Sequence, residues 1–109
     1  MPIPEISVED ARQLLAAPNP PRLIDVRELD EWELCRLPRA EHLPLSRFGE
    51  LGQQLLKNPD EALLIYCHHG VRSAHVTDFL IGQGFTRVTN LAGGIDAWSV
   101  EIDPSVPRY

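Results

Sequence analysis

Residues 62–75 read Ala62-Leu63-Leu64-Ile65-Tyr66-Cys67-His68-His69-Gly70-Val71-Arg72-Ser73-Ala74-His75. Ala62 to Tyr66 is a short apolar run with an isoleucine and an aromatic, the pattern of a strand buried on both faces. The run stops at Cys67 and passes through a loop holding Gly70, and the spacing predicts a helix from Ser73 through Gln83. Cys67 is thus placed at the carboxyl end of a strand and just before a helix N-terminus, where open α/β sheets bind ligands. The first N–H groups of the helix lack intrahelical partners, and its dipole puts partial positive charge there. Both effects favour a thiolate over a thiol. Arg72 adds a fixed cation at the end of the same loop. These residues make an anion site with a nucleophile at its start.

Working outward, Ser7 is an N-cap with Asp10 in the capping-box position, opening a helix with an apolar stripe at Ala11, Leu14 and Leu15. Pro18, Pro20 and Pro21 end it. Leu23 to Val26 reads as a second strand, followed by Arg27 and a short helix from Glu28 to Leu34 with Leu29, Trp32 and Leu34 facing inward. Residues 35–44 read as irregular, with a brief strand end at Leu43-Pro44-Leu45. A helix over Phe48–Lys57 is apolar at Phe48, Leu51, Leu55 and Leu56. Beyond the central loop and its helix, Gly82 and Gly84 are a stop signal. Arg87 to Leu91 is a last strand, Gly93-Gly94 a turn, and Ile95 to Trp98 a helical turn. Alternating strands and helices predict an α/β fold, with a mostly parallel central sheet flanked by helices on both faces.

Length allows one domain, 1–109, with residues 99–109 expected as a surface tail. The formal net charge is -6, so any anion must be held by local positive potential, and no basic stripe suggests nucleic acid. No stretch approaches a membrane span, and the Met1-Pro2-Ile3-Pro4-Glu5 start resembles no export signal. Two cysteines do not form a disulfide framework, so reduced thiols in the cytoplasm are expected. No metal and no cofactor are expected: Cys67, His68 and His69 are adjacent and cannot easily wrap one tetrahedral ion. The expected oligomeric state is a monomer or weak dimer.

Asp25-Val26-Arg27 followed by Glu31-Trp32, the Cys67–Ser73 loop, and Gly93-Gly94-Ile95-Asp96-Ala97-Trp98 are three segments that together resemble the single-domain rhodanese-like sulfurtransferases over nearly the whole chain. The resemblance implies a single rhodanese-like domain. It also implies transfer of sulfane sulfur from a small anionic donor such as thiosulfate, through a persulfide on Cys67, to cyanide or a thiol acceptor. On this reading Cys67 and Arg72 are catalytic, Arg72 orienting the anion. Backbone N–H groups from His68, His69, Gly70, Val71 and Ser73 hold the transferred sulfur, and the two histidines are exposed and lend partial positive charge. The alternative for Arg72 is an ion pair with an acidic residue under the loop. Asp25 and Arg27 support the site as a buried ion pair. Trp32 and Trp98 are expected as packing residues, and His42 and His75 as surface or helix-face residues.

One segment departs from the family pattern Gly-His-Ile-Pro-Gly-Ala: this chain has Cys35-Arg36-Leu37-Pro38-Arg39-Ala40, losing both glycines. Cys35 is either a small replacement for glycine or a resolving thiol for Cys67. Competing functions are a docking module or a persulfide relay to a protein acceptor in thiocofactor or tRNA thiolation. A Cys-based phosphatase or arsenate reductase is a further rival. The phosphatase loop is longer, whereas here only His68 to Val71 separate Cys67 from Arg72, and Tyr66 stands where phosphatases usually carry a histidine.

Overall fold

The Leu63–Tyr66 run is the middle strand of five. The structure, a computed structural model, describes residues 3–109, so Met1-Pro2 at the start, used above for the export-signal expectation, lies outside the described residues. In chain order the strands are β1 (Glu5–Ile6), β2 (Arg22–Asp25), β3 (Glu41–His42), β4 (Leu63–Tyr66) and β5 (Val88–Leu91). The helices are α1 (Val8–Ala16), α2 (Leu29–Leu34), α3 (Phe48–Leu55), α4 (Val71–Gly82) and α5 (Gly94–Glu101), with a 3-10 turn at Leu45–Arg47. The sheet order is β1-β5-β4-β2-β3, and every pairing is parallel. From adjacent β2 and β4 the chain moves outward in opposite directions, to β3 and to β5. That reversal leaves a crevice at the carboxyl ends of the strands.

Alternation along β4 separates the two faces. Leu63, Ile65 and Cys67 pack with Ile24, Val26, Phe48, Leu56, Val76 and Leu80 beneath α3 and α4. Leu64 and Tyr66 pack with Leu23, Val8, Ala11, Ile95 and Trp98 beneath α1 and α5. Each fully buried aliphatic side chain contributes about 1.5–3 kcal/mol. Burial on both faces is why β4 reads as a continuous apolar run.

Several expectations change. Ser7 caps α1 as expected, accepting from the Asp10 N–H at 3.1 Å, but Leu14 is exposed and Val8 takes the buried position with Ala11. In α2, Leu29 and Leu34 face solvent and Trp32 is half-buried: a six-residue helix at the sheet margin has little core to cover. Leu55 of α3 is likewise exposed. The strand end expected at 43–45 lies instead at Glu41–His42, paired to Ile24 and Asp25, while Leu43 and Leu45 donate to the carbonyls of Asp25, at the end of β2, and Val26, just beyond it. β1 was not expected from the pattern; two residues carry no period, and only pairing with Asn90 and Leu91 defines it. α5 runs to Glu101, so the segment 99–109 divides between the helix end, where Ser99 is buried, and a strap beyond it.

Candidate active site

The site grows from the carboxyl end of β4. Gly70 adopts φ 96°, and α4 begins directly after it at Val71, earlier than the Ser73 start expected. Val71, Arg72 and Ser73 therefore form the first turn of the helix, and their N–H groups are among its unpaired donors. Cys67 is buried, and its Sγ receives the Gly70 N–H at 3.2 Å, the Ser73 N–H at 3.4 Å and the Ser73 hydroxyl at 3.3 Å. Three donors converging on one sulfur suit an anionic sulfur. Among the described residues only Gly70 and Ser73 donate to it. The hydroxyl was not foreseen.

The loop points its amides inward because its carbonyls are held from outside. The N–H groups of Ile95 and Asp96, in the first turn of α5, donate to the carbonyls of Cys67 and His68 at 2.9 and 3.0 Å. The Asn90 amide donates to the Gly70 carbonyl at 3.2 Å. Such close approach explains the Gly93-Gly94 pair. Gly94 has φ 60°, and a Cβ there would lie 2.5 Å from the carbonyl oxygens of both Cys67 and His68. Only glycine tolerates that conformation and contact together.

Asp25 and Arg27 form the buried pair expected for the supporting residues. Both side chains are fully buried, with Nη2 donating to Oδ2 at 2.8 Å and Nε donating to both carboxylate oxygens. Arg27 also donates to the Cys35 carbonyl, which fixes the start of the 35–40 segment. Tyr66 accepts the Leu37 N–H, and burial pushes its hydroxyl well up. Arg39 sits at φ 65° where the family pattern has glycine, so a side chain occupies left-handed backbone. Cys35 turns its thiol toward the Pro107 carbonyl, not into the donor ring of Cys67, and both cysteines are free.

Arg72 is not a free cation. Its guanidinium grips Glu31 with Nη1 to Oε1 at 2.7 Å and Nη2 to Oε2 at 2.9 Å. Glu31 also receives the Glu28 N–H and the Tyr109 hydroxyl. The Arg72 bonds, followed by Tyr109, bring its carboxyl down to about 2. Tyr109 comes from the strap beyond α5. Its ring stacks on His68 with centroids 3.9 Å apart and planes at 8°, and its hydroxyl also accepts from Arg27 Nη1 at 2.8 Å. Burial pushes that hydroxyl up to about 12, so it stays a donor.

The histidines divide. His69 is exposed, with Nε2 3.8 Å from Asp96. His68, expected to be exposed, is half-buried between the rings of His69 and Tyr109, and its Nε2 is buried without a protein partner. Burial, with the neighbouring His69, depresses its pKa, so it does not supply the positive charge expected of it. His42 also departs from expectation: it lies in β3, stacks on Trp32 and hydrogen-bonds the Arg27 carbonyl at 2.7 Å. His75 is exposed, as expected. His68, His69 and Asp96 bring ligand atoms within 4.8 Å of one another, but Asp96 is already held by Arg108 at 2.9 and 3.2 Å. Glu31 was visible only as part of a motif, Asn90 only as a polar residue in a strand, and Tyr109 only as an aromatic in a proline-rich tail.

The rhodanese-like domain family matches residues 7–101. The chain is 37% identical over 113 aligned positions to the rhodanese-like/PpiC domain-containing protein 12, chloroplastic, of Arabidopsis thaliana, covering 99% of this chain and 38% of that protein. It is 34% identical to the thiosulfate sulfurtransferase GlpE of Coxiella burnetii, over 70% of this chain and 69% of that protein. The crystal structure of a rhodanese-like domain protein from Staphylococcus aureus superposes with a TM-score of 0.80 at 27% identity, covering 98% of this chain and 99% of that one. No helix among the described residues is long and apolar enough to cross a membrane.

Proposed function

The chain belongs to the rhodanese-like sulfurtransferase family, and we propose that it moves sulfane sulfur from thiosulfate or a similar donor to cyanide or a thiol through a persulfide on Cys67. One observation carries this reading: a buried Sγ at the end of the central strand, with two N–H groups and a hydroxyl aimed at it.

The Cys67 thiolate attacks the outer sulfur of thiosulfate. A Cys67 S–S bond forms, the donor's S–S bond breaks, and its electron pair leaves on sulfite. The persulfide keeps one negative charge, spread toward its outer sulfur. Gly70 and Ser73 already donate to Cys67 Sγ, and the amides of His68, His69 and Val71 in the same loop are assigned to hold the outer sulfur with them. Oriented N–H dipoles hold such an anion without a proton donor, so no general acid is needed. In the second half an acceptor thiolate or cyanide attacks the outer sulfur, and Cys67 departs as thiolate. Asp25 and Arg27 act at a distance by fixing the Cys35 carbonyl and Tyr109. Arg72, held in place by Glu31, is the side chain assigned to orient the incoming donor. Chemistry on a free thiol fits a reducing compartment, and the cytoplasm is the proposed location. The acceptor is a small thiol or a protein cysteine.

Intact mass after incubation with thiosulfate tests the reading, beside Cys67→Ser. The expected result is a gain of one sulfur atom, absent in the variant and released by cyanide as thiocyanate. No gain, with hydrolysis of an aryl phosphate instead, would move the protein to the phosphatase class. No reaction with either would leave a docking module or a relay fed only by a protein donor.

A further inference from the structure

Three arginines stand around the Cys67 loop, and each is already matched by a carboxylate. Arg27 is fully buried against Asp25. Arg72 is held by both oxygens of Glu31. Arg108 is held by both oxygens of Asp96, whose own N–H supports the loop at His68. Tyr109 ties the first two pairs together, accepting from Arg27 and donating to Glu31, both at 2.8 Å. Its ring lies on His68, which burial holds toward its neutral form. The rim is therefore close to electrically neutral, and the planar fork of Arg72, the group best shaped for a sulfonate, is filled.

Resting on the sulfurtransferase reading, we infer that this charge-balanced rim favours hydropersulfides of small thiols over thiosulfate as sulfur donors, with Glu31 and Tyr109 as the specificity-determining residues. The two donors differ in the charge they bring. Thiosulfate is a dianion, and meeting the Cys67 thiolate it places three negative charges in one site before sulfite leaves. A hydropersulfide brings at most one negative charge at its reacting end, so with the thiolate it places one or two, and it reacts as R–S–S–H. The thiolate attacks its outer sulfur, the Cys67 S–S bond forms, and the donor's S–S bond breaks with its electron pair on R–S. The hydropersulfide proton passes to that leaving sulfur, giving R–SH and the Cys67 persulfide anion. Nothing is oxidised or reduced overall. The inward N–H groups serve the transferred sulfur equally in both cases, so discrimination falls to the rim. There the like charges of thiosulfate and thiolate meet three arginines that are each already paired with a carboxylate.

The test is the rate at which intact mass shows one sulfur loading onto the full chain, from thiosulfate and from cysteine hydropersulfide, at one ionic strength. Wild type is expected to load from the hydropersulfide on the order of tenfold faster or more, the scale of a like-charge penalty. Glu31→Gln, which frees the Arg72 fork, shifts the ratio of the two rates several-fold toward thiosulfate. Tyr109→Phe keeps the ring on His68, removes only the hydroxyl that restrains Glu31, and shifts the ratio the same way by less. Wild type loading equally fast from both donors overturns the inference, whatever the variants do. So does an unchanged ratio in Glu31→Gln with its thermal midpoint retained. If neither donor loads wild type, the sulfurtransferase reading itself falls and the donor preference with it.

Discussion

The ring around the Cys67 sulfur and the rim outside it hold charge by different means. In the ring, Gly70 and Ser73 present N–H groups and a hydroxyl from residues three and six positions after the cysteine. In the rim, Arg27, Arg72 and Arg108 meet Asp25, Glu31 and Asp96 as full charges. Dipoles fixed by the backbone stabilise an anion without bringing a counter-charge that must itself be desolvated. Side-chain charges at a half-buried rim need partners, and once partnered they set the net charge that an incoming molecule meets. On the proposed function, the ring serves the sulfur that would be transferred and the rim meets the molecule that would deliver it.

Breaking the rim at its buried anchor gives the largest expected effect. Asp25→Ala leaves Arg27 as an unpaired buried charge and should lower stability by about 3–5 kcal/mol, read by chemical denaturation. A loss under about 1 kcal/mol would show that the Arg27 bonds to Tyr109 and Cys35 suffice, against the strong penalty expected for an unpaired charge. Gly94→Ala strikes the ring from behind. The new Cβ meets two carbonyl oxygens at φ 60°, and a destabilisation of about 1–3 kcal/mol with loss of sulfur loading on Cys67 is expected. Normal loading would mean that the loop keeps its amides inward without α5.

The Glu31 pair sharpens the comparison through pH. Its folded carboxyl near 2 lies below the ordinary glutamate value, so its contribution to stability is complete above about pH 4.5 and is lost as pH falls toward 2. Thermal midpoints of wild type should therefore fall more steeply across that window than those of Glu31→Gln. Parallel curves would mean the pair is equally formed in the unfolded chain. The smallest effect belongs to a residue outside both regions. Arg39→Gly relieves a side chain held at φ 65° and should stabilise by roughly 0.5 kcal/mol, after glycine's own entropic cost. The check is a rise in the denaturant midpoint at constant slope.

The strand–loop–helix of residues 62–83 was legible because its signals are local: apolar residues without alternation, a cysteine, a glycine and a helix start. The Asp25–Arg27 pair was legible for the same reason, being two residues apart. Legibility failed where an element is too short to carry a period. β1 and β3, of two residues each, exist only through their neighbours, and α2, of six, does not reveal from its apolar spacing which face is covered.

By itself, the sequence determined the α/β class, the position of Cys67 at a strand end before a helix, and the buried support at Asp25 and Arg27. The tertiary structure alone decided how the rim is charged. Glu31 and Arg72 lie 41 residues apart, and Glu31 and Tyr109 lie 78 apart. No pattern along the chain encodes those meetings. The sheet order brings the end of β2 beside the end of β4, and the strap beyond α5 crosses both. A charge in sequence is only a sign, and what it contributes depends on which opposite charge packing sets against it.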